Sequence, residues 1–156
     1  MFGKMASGSP SVLFSFLLLA GAASNCPAQP CEPSGRECSV AAGSFVTQRL
    51  AVWQKRLHLE DWNISVTMAR ASELKPGTLG NVHWDSDTKT AVIHVLDPVD
   101  YHMPYREMLD DMEFTVVHEL VHLTLAPPLS GVQRNEASRR DEEYAVNHIT
   151  DALLGR

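Results

Sequence analysis

His118-Glu119-Leu120-Val121-His122, HELVH in one-letter form, is the stretch on which the reading of this chain turns. In a helix, residues four apart differ by only about 40° around the axis and stand one turn apart. The two imidazoles therefore reach a common point. Glu119 lies about 100° from His118, which places it badly for sharing an ion with the histidines and well for facing what that ion leaves open. The competing reading is that the five residues are ordinary members of a buried helix. The surrounding sequence decides between them.

Residues 107–125 (EMLDDMEFTVVHELVHLTL) predict that helix, with an acidic first turn suited to the positive end of the helix dipole. Phe114, Val117, Val121 and Leu125 form one stripe; Met112, Val116, Leu120 and Leu123 form another. A helix apolar around most of its girth is buried. Pro127 and Pro128 are expected to stop it. Two imidazoles and a carboxylate inside such a helix are costly without a partner, and a metal ion is one. H-E-x-x-H arises by chance in about 2% of chains of this size and composition, so a third donor is the stricter requirement.

The last helix, from about Asn135 to Leu154, offers one. Glu143 and Asn147 are four apart and share a face with Val146 and Thr150. A turn at residues 126–131 and antiparallel packing of the two helices bring Glu143 to the histidines. Zinc binds such His and carboxylate donors and leaves room for water in catalytic sites. On this reading His118, His122 and Glu143 hold one Zn2+, and Glu119 serves as general base and acid. Asn147 is placed to hydrogen-bond the far nitrogen of a liganding histidine. Glu142, about 100° from Glu143, competes as third ligand. Glu136 stands so close to the turn that little room remains for a second helix.

His118-Glu119-Leu120-Val121-His122 followed by Glu142-Glu143-Tyr144-Ala145-Val146-Asn147 resembles the gluzincin class of zinc metallopeptidases. As architecture the resemblance spans roughly residues 44–154, but only these two motifs are specific. It implies a minimal, single-domain zincin-like fold, with a small sheet, an active-site helix and a glutamate helix. It implies hydrolysis of peptide bonds by metal-activated water, with His118, His122 and Glu143 as ligands, Glu119 as base and Asn147 in support. Two departures matter. Asn147 replaces the charged Asp of larger members, and only residues 144–156 follow Glu143. A group that stabilises the oxyanion is then sought upstream, at Tyr101, His102 or Tyr105; without one, activity falls by about 10²–10³. The metzincin pattern is excluded, because its Gly and His would fall at Leu125 and Pro128. A metal-binding or regulatory domain of the same shape with little turnover is the competing function.

Upstream, Val46, Leu50, Trp53 and Leu57 predict an amphipathic helix over 44–58. Residues 62–70 alternate as a half-buried strand, and 79–84 and 88–96 read as a hairpin joined at Asp85-Ser86-Asp87. The second of these, TAVIHVL, is apolar on both faces and reads as a covered strand. The order α, β, β, β, α, α is an α+β domain. A substrate peptide is expected along a sheet edge, if one of the hairpin strands is that edge. His94 reads as structural, His148 as exposed, and His58 and His83 carry no evident chemistry.

Residues 1–22 read as a signal peptide, with Lys4, the apolar run Val12–Ala20 and an A-x-A site at Ala20-Gly21-Ala22. This implies a secreted or periplasmic protein with no stable membrane span after cleavage, or a cytoplasmic one if the start is misassigned. Residues 23–43, with Cys26, Cys31 and Cys38, read as a Pro/Cys-containing linker, in which any one pair of thiols can close. The remaining residues, 44–156, form the domain. A net charge of -6 without a basic patch argues against nucleic acid and leaves a peptide or protein as the expected partner.

Overall fold

The computed structural model describes residues 35–129, 131, 133 and 135–156. They form an α+β unit of three helices and one small mixed sheet: α1 (Gly35–Arg56), β1 (Asn63–Ala69), β2 (Gly80–Asp85), β3 (Thr90–Leu96), a short 3-10 turn (Pro98–Asp100), α2 (Tyr105–Leu129) and α3 (Glu136–Leu154). The expected signal peptide, Cys26 and Cys31 lie outside the described residues. Among the described residues no helix is long and apolar enough to cross a membrane.

The first helix starts well before the expected boundary at residue 44. Ala42 is fully buried with Val46, Leu50 and Trp53, and Cys38 packs against the same core. Gly35–Gly43 is therefore helix and not linker. Gly43 stands at the expected boundary, yet the stripe runs straight through it: a side chain there would meet only open space, and Thr47 Oγ1 donates to its carbonyl. The helix ends at Arg56, two residues early, where His58 takes a left-handed conformation (φ 55°) and Leu59 N–H closes back on Gln54 O at 2.9 Å.

The sheet order is β1-β3-β2, with β1 parallel and β2 antiparallel to β3. The covered strand is thus the central one, and β2 is an edge. Leu96 N–H donates to Leu79 O at 2.9 Å. Antiparallel alternation then turns the backbone of Asn81, His83 and Asp85 toward β3 and that of Gly80, Val82 and Trp84 outward. Ala91, Ile93 and Val95 point into the core under α1 and α2. The opposite face carries Thr67, Asn81, His83 and His94.

The buried helix α2 occurs as expected, with Met112, Val116, Val117, Leu120 and Leu123 at 0% exposure. It does not stop at the prolines; it continues through Pro127 and Pro128 to Leu129. Proline's fixed φ is compatible with helix; the two rings remove the N–H groups that would bond the carbonyls of Leu123 and Thr124, and the helix ends one residue later. α3 begins one residue after Asn135, which caps it. Asn135 Oδ1 accepts from Ser138 N–H, and Ser138 Oγ accepts from Asn135 N–H, each at 2.9 Å. α3 packs chiefly on α2 and runs antiparallel to it, burying Val146 and Thr150.

Candidate metal centre

The seam between α2 and α3 gathers the donors. His118 and His122 project from successive turns of α2, with their Nε2 atoms 3.1 Å apart. Glu143 of α3 reaches both: Oε2 lies 3.3 Å from His118 Nε2, and Oε1 lies 3.5 Å from His122 Nε2. One donor atom from each residue falls within 4.8 Å of the others. Two imidazoles sharing a tetrahedral ion at about 2.0–2.1 Å hold their nitrogens roughly 3.3 Å apart. The observed 3.1 Å fits that requirement, and the two imidazoles and carboxylate are the donor types zinc takes. Among the described residues this is the group of three or more such donors able to hold a metal ion.

Glu142 does not join the cluster. Its Oε1 accepts from His122 Nδ1 at 3.1 Å, on the ring's other side. This fixes the tautomer and leaves the Nε2 lone pair aimed at His118 and Glu143. The sequence offered Glu142 only as a rival ligand. A carboxylate adjacent to the predicted ligand, on a helix whose seam runs between the two, was the available signal for its actual place. Glu136 sits exposed in the first turn of α3, away from the cluster.

Asn147 stands beside His118 and favours its protonated form, as does Glu143, but burial and the neighbouring His122 outweigh them and depress the His118 pKa. Among the described residues His118 Nδ1 is buried without a hydrogen-bond partner, while the Asn147 side chain stands close enough to act on the ring as a hydrogen-bonding group.

Glu119 is 7% exposed and faces the sheet. Burial, helped by the charge of Glu143, pushes its carboxyl up to about 8. It stands close to β2 because Gly80 lacks a side chain. A Cβ there would lie 2.4 Å from Thr115 Cγ2, 2.6 Å from His94 O and 3.6 Å from Glu119 Oε1. Gly80 therefore lets the edge strand close on the helix beside the carboxyl. Gly80 carried no signal in the sequence beyond its place at a strand start.

The three upstream candidates do not come to the centre. Tyr101 OH donates to Asp111 Oδ2 at 2.9 Å, and burial together with Asp111 holds its phenol protonated. Asp111 is seven residues before His118, about 10 Å along the helix. Tyr105 begins α2, about 20 Å below His118 by the same rise. His102 is exposed near Asp100. The segment is pinned elsewhere: Arg70 donates to both carboxylate oxygens of Asp100, each at 2.8 Å, so the loop after β1 grips the turn before α2.

Comparison of the chain with protein-family models, curated proteins and solved structures gives no match.

Proposed function

We propose that this chain is a small zinc-dependent metallopeptidase with a minimal, zincin-like fold. The observation that carries the reading is the convergence of His118, His122 and Glu143 with the buried carboxyl of Glu119 beside them. Zinc, when bound, would supply a Lewis acid able to make water nucleophilic near neutral pH.

The chain's own groups divide the remaining work. His118, His122 and Glu143 hold the ion, and Glu142 orients His122 through Nδ1. Glu119 handles the proton. Its basicity is raised by burial, so it takes a proton readily, and a cation nearby lowers its pKa again and frees it to act. It then passes that proton to the leaving amine. The outward backbone groups of Gly80, Val82 and Trp84 offer an edge on which an extended peptide adds as a strand, close to Glu119. Recognition of that kind is mostly main-chain and weakly selective.

One observation favours a second reading, a metal-binding domain with little turnover. Tyr101, His102 and Tyr105 stand away from the centre, and an oxyanion donor is worth about 10²–10³ in rate. Glu119→Gln separates the two readings. Peptide cleavage should be lost while zinc stoichiometry stays that of the wild type. Cleavage that survives the change would remove Glu119 as base, and a wild-type protein that binds zinc but cleaves no member of a peptide library would favour the second reading.

A further inference from the structure

The face of the sheet turned away from α2 carries a second pair of imidazoles. His94 lies on the central strand, directly opposite Asn81 of β2. His94 Nδ1 donates to Asn81 Oδ1 at 2.8 Å. The proton is thereby fixed on Nδ1, and Nε2 keeps its lone pair. His83 sits two residues further along β2, diagonal to His94, with ring centroids 5.6 Å apart and planes at 74°. Two imidazoles bound to one ion at about 2.1 Å place their centroids roughly 5–6 Å apart. Both line a cavity of about 270 Å³ together with Thr67, Asn81 and Glu73. The cavity therefore has space for an ion that keeps water, and a carboxylate for charge.

We propose that His83 and His94 form a second divalent-metal site on this open face, separate from the centre between α2 and α3. Two imidazole nitrogens select borderline ions such as Zn2+, Ni2+ or Cu2+ over Mg2+ and Ca2+. With two protein donors the site binds more weakly than the three-donor centre. The hydrogen bond from His94 to Asn81 is the orienting contact that liganding histidines use. An ion here ties the edge strand β2 to the central strand β3, on the side opposite Gly80 and Glu119.

The test is a calorimetric titration of the full chain with Zn2+ and Ni2+, in the wild type, in His83→Gln and in His118→Ala. His83 is exposed, so its replacement leaves the core intact. The cysteines are common to all three chains and cancel in the differences. The wild type should show a tight and a weaker histidine-dependent event. His83→Gln should lose the weaker event alone, and His118→Ala the tighter alone. In a parallel measurement, the imidazole resonances of His83 and His94 should shift with Zn2+ and stay put with Mg2+. An unchanged titration in His83→Gln, or resonances that do not move with Zn2+, would overturn the proposal while leaving the three-donor centre untouched.

Discussion

Glu142 Oε1 lies 3.1 Å from His122 Nδ1, on the opposite side of the ring from the nitrogen that meets His118 and Glu143. Adjacent residues of one helix thus serve one imidazole from two sides. Glu142→Ala should weaken zinc binding by about 10–100-fold, the cost of removing such an orienting partner. Glu142→Gln, which keeps an acceptor, should cost less than Ala. Glu143→Ala removes a donor and should cost more than either. Competition with a chelator of known affinity ranks the three; a larger loss from Glu142→Ala than from Glu143→Ala would exchange their roles.

Gly80 and Gly43 give opposite expectations for the same substitution. A methyl group at Gly80 meets Thr115 Cγ2 and the backbone oxygen of His94. Backbone cannot yield cheaply, so Gly80→Ala should destabilise by about 1–3 kcal/mol, as overpacking does. It should also reduce cleavage, because the strand it displaces flanks Glu119. Gly43 lies inside α1 with open space around it, and Gly43→Ala should stabilise by about 0.5–1 kcal/mol. Denaturant unfolding measures both, and equal effects at the two sites would contradict the packing.

The raised carboxyl of Glu119 has a consequence for the metal-free protein. Its ordinary value is 4.5, and in the folded chain it stands at about 8. Between those values the folded state holds a proton that the unfolded state has lost. Stability is therefore full below about 4.5 and declines as the pH rises toward 8. With chelator present, the unfolding free energy of the wild type relative to Glu119→Gln should fall as pH rises across that window; the difference separates Glu119 from His118, whose depressed pKa acts in the opposite sense. In Glu119→Gln the contribution of this group should vanish. A difference between wild type and Glu119→Gln that rises across the window would contradict the assignment.

The N-terminus of α3 rests on the reciprocal bonds between Asn135 and Ser138. Asn135→Ala should cost about 1 kcal/mol. Because α3 carries Glu142 and Glu143, the same change should loosen zinc as well as lower stability. Loss of stability with unaltered zinc affinity would mean that the cap and the centre are uncoupled.

The features legible in the sequence were those with a strong period or a scarce chemistry. The girdle of apolar residues placed α2 in the core, and the four-residue spacings placed His118, His122 and Glu143 on facing stripes. Asn135 marked the start of α3 within one residue. Other features depend on what lies across the gap. Residues 35–43 look like linker until Ala42 and Cys38 are seen packed on the core, and Gly80 is silent until Thr115 is packed against it. Glu142, more than a quarter of a turn off the predicted line, found a use because His122 presents a nitrogen on each side. Tyr101 was drawn to Asp111 by a contact no spacing rule reveals. His83 and His94 become neighbours only when β2 and β3 are in register.

α3 rests chiefly on α2, whereas α2 itself also packs against α1 and the sheet. One of the three donors, Glu143, is therefore carried on the helix with the least anchorage. Amide hydrogen exchange in α3 should be governed by local opening and not by global unfolding. A bound ion joins two residues of α2 to one of α3 and so opposes that opening. The ion acts as a clasp on the helix, and zinc occupancy becomes readable as slowed exchange along α3 with little change in β3.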